Sequence, residues 1–372
     1  MGKALWFTCG WLALGPAAWA QDKTARSYPF VDLGFSSGIY AVPSSAVKED
    51  LGGDVSFFQM ETRLTLQTTG KDLYSYLWRC PRWTLGYSGT YLNNDTILGT
   101  PNAIFLGIDV PFSRYEPGRK WTFSYMLAGG LSYNFRPNSA TDNPWNLMIG
   151  SYNNVYVEVG FYSHYNLGRL FDVDAGVSFT HYSNGANNMP NRGLNMVGAK
   201  VRLRHNLRRE EVPKVMTRTL EPWEVRRQWT IQMGYGSKQR EILGEVNYNN
   251  FTLSVYYEHW QYRKGRWVGG LELFYDASVM PYGQVNPQLA FRATNPWLVG
   301  LFAGYHAVYN RWTFLTGLGY HIYQGTTLDP GLYQRFGLRY RIHHGLYAGV
   351  SLKAKDFGAA NFVEWSLGYT LF

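Results

Sequence analysis

The sequence predicts an all-β protein: a transmembrane antiparallel β-barrel of the bacterial outer membrane with about 16 strands. Three observations lead there. Alternating apolar and polar runs, bounded by Gly, Pro, Asn and Asp, recur along the 372 residues. Aromatic residues make up 17% of the chain, with 29 Tyr and 14 Trp. Trp83, Trp121, Trp229, Trp267, Trp297 and Trp312 stand near expected strand ends, where barrel girdles meet the membrane interfaces. Beyond the N-terminal segment, no window approaches the roughly 18 uninterrupted apolar residues of a membrane helix.

The N-terminus reads as an export signal over residues 1–20. Lys3 is the basic region, Ala4–Ala18 is uncharged and mostly apolar, and Ala18-Trp19-Ala20 offers small residues for cleavage. Strands are then expected over Phe30–Val42, Val55–Gln67, Trp83–Leu92, Asn102–Phe112, Trp121–Asn134, Asn154–Asn166, Leu170–Ser183 and Leu194–Asn206. A second set is expected over Gln228–Lys238, Asn250–Tyr262, Arg266–Ser278, Trp297–Tyr309, Arg311–Tyr323, Gly331–Ile342, Leu346–Ala354 and Asn361–Phe372. The organisation is thus 21–206 for the first set, 207–227 for a charged linker or long turn, and 228–372 for the second. One 16-strand barrel is preferred over two barrels of eight.

Connection lengths give the direction. Leu167-Gly168, Arg263-Lys264-Gly265, Asn310 and His343-His344-Gly345 are tight and fall on even-numbered connections. Pro43–Asp54, Phe135–Asn153 and Val279–Pro296 are long and fall on odd-numbered ones. Short periplasmic turns with long outer loops place the end of Leu170–Ser183 on the outer side. The terminal Phe372 is common in such barrels, although it lies out of phase with Val363, Trp365, Leu367, Tyr369 and Leu371.

Charge and cysteine content narrow the function. The formal charge is +9, a modest excess that suits phosphate-bearing lipid. An exported chain argues against nucleic acid as a partner. Cys9 lies in the signal, so Cys80 remains alone, a structural thiol near a turn, unable to form an internal disulfide or a metal cluster. No cofactor or metal is implied. His164, His205, His259, His306, His321, His343 and His344 lack ligand spacing and read as turn or interface residues. Gly34-Phe35-Ser36-Ser37-Gly38 fits G-x-S-x-G, but that elbow needs a strand-to-helix turn and here lies within an alternating strand. Lys200, Arg202 and Arg204 share a lumen face and are expected to pair with Asp172 and Asp174.

The most informative stretch is Phe179-Thr180-His181-Tyr182-Ser183-Asn184-Gly185. In a strand, residues two apart share a face, with Cα atoms roughly 6.5 Å apart, so an imidazole reaches a neighbouring hydroxyl as its base. His181 and Ser183 continue the apolar face of Phe171, Val173, Ala175, Val177 and Phe179, which in a membrane barrel faces lipid. Eight rises of about 3.3 Å, tilted roughly 40°, give about 20 Å of height. The pair therefore sits at the edge of the hydrocarbon, where lipid ester bonds lie.

The motif runs on as His181-Tyr-Ser183-Asn184-Gly-Ala-Asn-Asn-Met-Pro190-Asn191-Arg-Gly193-Leu-Asn195. It resembles the outer-membrane lipid A 3-O-deacylases, the PagL type of acyloxyacyl hydrolase, whose pattern is H-x-S-N followed by P-N-x-G-x-E. A looser likeness covers Phe30–Asn206, including Asn143-Pro144-Trp145-Asn146 and Ile149-Gly150-Ser151, and stops before the second strand set. The resemblance implies a serine esterase at the outer membrane that acts on lipid A within lipopolysaccharide. Ser183 would attack the ester carbonyl, His181 would take its proton, and Asn184 is the candidate oxyanion donor. Arg192, in the outer loop, is a candidate for a lipid A phosphate. The family's acidic third member falls on Asn195, whose phase matches that of His181; a hairpin centred near Asn188 pairs the two. An amide oxygen there accepts from imidazole Nδ1–H and orients the ring, without stabilising the imidazolium as a carboxylate does. Two rivals remain: a non-enzymatic pore or structural barrel keeping a degenerate motif, and an exported β protein that binds lipid or sugar.

Overall fold

The computed structural model describes residues 27–42, 48–49, 53–208, 214–240, 246–279, 295–326, 329–355 and 359–371. Residues 1–20, expected to be an export signal and holding Cys9, and Phe372 lie outside the described residues. The first eight strands are β1 (Tyr28–Ala41), β2 (Ser56–Gln67), β3 (Arg82–Leu92), β4 (Gly99–Pro111), β5 (Trp121–Phe135), β6 (Asn154–Asn166), β7 (Phe171–Ser183) and β8 (Leu194–Asn206). The second eight are β9 (Arg226–Lys238), β10 (Tyr248–Tyr262), β11 (Gly265–Asp276), β12 (Trp297–Tyr309), β13 (Trp312–Gln324), β14 (Leu332–His343), β15 (Leu346–Lys355) and β16 (Ala359–Leu371). Sixteen antiparallel strands are as expected, but they close as two barrels of eight rather than one of 16. β1 pairs with β8 from Phe30↔Asn206 to Ala41↔Asn195, and β9 pairs with β16 from Ser237↔Val363 to Trp229↔Leu371.

Alternation decides which face is which. On β7, Val177 and Phe179 are exposed while Ser178, Thr180 and Tyr182 are buried. The same holds on β8, where Val197, Val201 and Leu203 are exposed and Lys200, Arg202 and Arg204 are not. The exterior is apolar and the interior polar, the inverse of a water-soluble barrel and the pattern of one that crosses a bilayer. No helix among the described residues is long and apolar enough to cross a membrane.

An eight-strand barrel has an interior only wide enough for side chains. In the first barrel a carboxylate pair organises it. Lys200 Nζ lies 2.9 Å from both Glu61 and Glu158, and Arg63 lies 2.7 Å from Glu61. Tyr156 and Tyr162 donate their hydroxyls to Glu158. Nearby, Arg204 bridges Asp174 at 2.8 Å and Asp32 at 3.1 Å, and Arg202 meets Asp174 at 3.3 Å. Lys200 therefore pairs with Glu61 and Glu158 rather than with the expected aspartates, because those carboxylates reach it across the lumen. Asp172 accepts from Asn166 Nδ2 instead. In the second barrel Glu272 accepts from Tyr256, Tyr333 and Arg335, and Arg335 also binds Glu364.

Three histidines expected at turns or interfaces lie inside the barrels. His164 bonds Asp174 at 2.5 Å and Ser124 at 2.6 Å, and His306 and His321 are buried in the second barrel. A polar interior gives an imidazole partners that the exterior lacks. Ser36, the serine of G-x-S-x-G, also points inward, 3.3 Å from Gln59, within unbroken β1.

The barrels touch at both ends. The connection from β2 to β3 holds a short helix, α1 (Leu73–Leu77), capped by Asp72, which accepts from Ser75 N–H at 2.8 Å. A second helix, α2 (Asp95–Leu98), joins β3 to β4. After α1, Trp78 Nε1 donates to Val308 O at 2.8 Å, and the Tyr309 ring lies 5.0 Å from Trp83 and 5.9 Å from Tyr74. The segment before β9 docks at this end too: Met216 N donates to Thr69 O at 2.9 Å, and Trp223 Nε1 to Trp260 O at 3.0 Å. At the opposite end the contact is made by the loop that follows Ser183.

Candidate functional site

His181 and Asn195 face each other as cross-strand partners on β7 and β8. His181 Nδ1 lies 2.6 Å from Asn195 Oδ1. With the amide oxygen accepting, Nδ1 carries the proton and Nε2 is left as the acceptor. Both side chains continue the phase of the exposed residues Val177, Phe179, Val197 and Val201, on the barrel exterior. Ser183 ends β7 in the same phase and is 7% exposed.

Gly193 makes room for the imidazole. Its φ is +76°, and a Cβ there would stand 2.5 Å from His181 Cε1 and 3.3 Å from Nδ1. A glycine is needed both for that left-handed backbone and for the ring lying across it. Gly193 N in turn donates to Met148 O at 3.0 Å, tying the β7–β8 loop to the β5–β6 loop.

The β5–β6 loop is held by asparagines. Asn143 Nδ2 donates to the Ile97, Arg136 and Pro137 carbonyls, and Asn146 Oδ1 accepts from Met148 N and Ile149 N, each at 3.1 Å. The β7–β8 loop packs on it. Asn184 Nδ2 donates to Ser151 Oγ at 2.9 Å and to Asn188 O at 2.8 Å. Asn184 N donates to Asn191 Oδ1 at 3.0 Å. Gly150 lies so close to Asn188 and Met189 that a Cβ would stand 2.8 Å from their carbonyl oxygens.

Of the residues singled out in the sequence, His181, Ser183 and Asn195 share one face at one strand end. Asn184 is adjacent, but its donors are spent on the loop. Arg192 is exposed on the same loop, with its side chain free of the cluster. Asn191 was not singled out. Its Nδ2 is a buried donor without a hydrogen-bond partner among the described residues, while its Oδ1 is fixed by Asn184 N. The signal was present, since Asn191 lies within the P-N-x-G pattern, but the partnering that frees one donor is not legible from spacing. His, Cys, Asp and Glu form no metal-binding group among the described residues.

Comparison with known proteins adds the family. A model described as lipid A 3-O-deacylase (PagL) matches residues 59–204. A second, described as acyloxyacyl hydrolase, C-terminal domain, matches residues 227–372. The likeness thus extends into the second strand set, where the sequence motif had suggested that it stops. No curated protein matches the chain. Among solved structures, a porin of Rhodopseudomonas blastica is 8% identical over 93% of this chain and 99% of its own, with a TM-score of 0.17. The β domain of the Bordetella autotransporter BrkA is 9% identical over 93% and 99%, with a TM-score of 0.23. At such scores the two likenesses carry no argument. The two family models fall in sequence on the two barrels, and the chain belongs to the lipid A 3-O-deacylase (PagL) family.

Proposed function

We propose that the chain is a serine esterase of the bacterial outer membrane that removes an ester-linked acyl chain from lipid A, working from the barrel exterior at the outer leaflet. The observation that carries this reading is the His181 Nδ1–Asn195 Oδ1 contact of 2.6 Å on the apolar face that Ser183 shares. An apolar exterior and a filled polar interior support the membrane location and leave the pore reading without a channel.

Ser183 Oγ attacks the ester carbonyl carbon while His181 Nε2 takes its proton. The tetrahedral oxyanion collapses, the C–O bond to the sugar breaks, and the imidazolium returns its proton to the leaving alkoxide. Water, deprotonated by the same Nε2, then frees the fatty acid from Ser183. Asn195 acts as a positioning residue: its amide oxygen holds the tautomer that leaves Nε2 free. Asn191 Nδ2 is the donor left open for the oxyanion, and Asn184 acts through Asn191 by fixing its amide. Exposed Arg192 is placed to meet a phosphate of the headgroup.

The test is mass spectrometry of lipid A from cells making wild-type or Ser183→Ala protein. Loss of one acyl chain only with wild type is the expected result. Identical acylation in both would favour a non-enzymatic barrel that keeps the motif.

A further inference from the structure

The loop that follows Ser183 rests on the second barrel. Ala186 O accepts from Gln239 N at 2.8 Å, and Met189 N donates to Gln239 Oε1 at 2.8 Å. Ser237 Oγ lies 3.3 Å from Asn187 Oδ1. Gly185, with φ +68°, is in van der Waals contact with Val363, where any Cβ would overlap the valine. Ser237 and Val363 are cross-strand partners on β9 and β16, so the loop covers one outward-facing pair at the rim of the second barrel.

Directly below that covered pair an apolar cleft opens. The next outward pairs down β9 and β16 are Tyr235/Trp365 and Met233/Leu367. Both pairs line a cleft of about 690 Å³, completed by Phe251 and Leu253 of β10, Leu273 and Tyr275 of β11, and Trp297 of β12. Its upper border is an aromatic row, with ring centroids 5.4 Å apart for Tyr235–Phe251, 6.3 Å for Phe251–Tyr275 and 5.0 Å for Tyr275–Trp297. Its lower part is aliphatic. Three of the five lining strands touch the first barrel: β9 and β16 through the loop after Ser183, and β12 through Trp78, Trp83 and Tyr74 at the other end. Contacts at both ends thus bracket the cleft on the side that looks toward the first barrel.

We propose that this cleft on the second barrel is an acyl-chain site, and that it holds a fatty acyl chain of the lipid whose ester Ser183 attacks. The inference rests on the esterase reading above and extends it. Only Asn184 separates Ser183 from Gly185, and Gly185 touches Val363, next to the outward pairs that line the cleft. The lining carries no charged side chain and is mostly aromatic and aliphatic, so it selects a hydrocarbon chain rather than a headgroup. The second barrel then forms part of the substrate site and is more than a membrane anchor.

Two measurements on the full chain in lipid vesicles test this. In the first, Ser183→Ala protein is irradiated with lipid A that carries a diazirine in an acyl chain, and separately with a diazirine phospholipid. The expected result is lipid A labelling concentrated on Met233, Leu253 and Leu273, with phospholipid labelling spread around both barrels. Equal labelling of the cleft by both lipids makes it ordinary bilayer contact and overturns the proposal. In the second, Met233→Trp and Leu253→Trp fill the cleft. The ratio of kcat/KM for lipid A to that for p-nitrophenyl butyrate should fall at least tenfold; an unchanged ratio overturns the proposal. Failure of the esterase reading itself would show differently, as p-nitrophenyl butyrate hydrolysis that survives Ser183→Ala.

Discussion

Replacing Gly193 by alanine tests whether the imidazole position matters. The new Cβ would stand 2.5 Å from His181 Cε1. Carbon atoms settle at about 3.5–4.0 Å, so the ring must retreat by about 1 Å. Such a retreat stretches the 2.6 Å contact to Asn195 beyond good hydrogen-bond range and shifts Nε2 with the ring. A misplacement of about 1 Å at a reacting group costs roughly 100-fold in rate, or about 2.7 kcal/mol of barrier. The left-handed backbone at φ +76° adds about 1–2 kcal/mol of instability for an L-residue. Gly168→Ala is the matched control. Its φ is +143° with nothing within 4 Å of a Cβ, in the tight β6–β7 turn at the other end of the strand. Fatty-acid release from lipid A in vesicles reads the rate, and heat-modifiable gel mobility reads the folded fraction. Gly193→Ala should lose about 100-fold in kcat per folded molecule, while Gly168→Ala keeps it. A folded Gly193→Ala protein with wild-type kcat would refute the argument that this glycine seats the His181 ring for the proposed reaction.

Three further outcomes follow from the same contacts. Asn195→Asp should raise kcat severalfold, because a charge-assisted hydrogen bond is roughly twice as strong as a neutral one, and Asn195→Ala should lower it about tenfold or more; equal rates for all three proteins would remove Asn195 from the mechanism. Glu158→Gln strips a carboxylate from Lys200 and Arg63 inside the first barrel, and breaking a buried pair costs about 3–5 kcal/mol. The temperature of the mobility shift should fall, and an unmoved midpoint would mean that the network contributes nothing. Cys80 is fully buried, and burial pushes its thiol up to about 11. It should therefore resist maleimide at pH 7.5 until the barrel unfolds; rapid labelling of the native protein would contradict its packing.

The face that carries His181, Ser183 and Asn195 was legible because a strand has a period of two. Once Val177 and Phe179 are outward, His181 and Ser183 must be, and the pairing of His181 with Asn195 follows from a hairpin centred near Asn188. Strand boundaries were legible for the same reason; Asn154–Asn166, Leu194–Asn206 and Trp297–Tyr309 fall where alternation placed them. Contacts made through loops were not legible. Asn184 reads as a free donor beside a nucleophile, yet its amide is consumed by Ser151 and Asn188, and Asn191 holds the open one. Trp83 reads as a girdle residue, yet its ring meets Tyr309 of the other barrel. Period and spacing fix which way a side chain points, but not which distant segment arrives to meet it.

Closure was the larger miss, and the interior charges show how it is decided. The described residues of the first barrel bury five acids, Asp32, Glu61, Asp109, Glu158 and Asp174, and five bases, Arg63, Arg82, Lys200, Arg202 and Arg204. Those of the second bury Glu258, Glu272, Asp276, Asp329 and Glu364 against Lys238, Arg266, Arg335, Arg339 and Lys353. Each set is neutral by itself. A 16-strand barrel would enclose a water-filled channel, in which solvent screens charge and no half needs to balance. Two narrow interiors of eight strands, wide enough only for side chains, have far less such relief, and an uncompensated buried charge costs several kcal/mol. The fully buried charges of each half must therefore cancel within that half, and among the described residues they do. The constraint acts on the sum of charges and on the size of the side chains, and Glu158 with Tyr156 and Tyr162 meets it as well as Glu272 with Tyr256 and Tyr333.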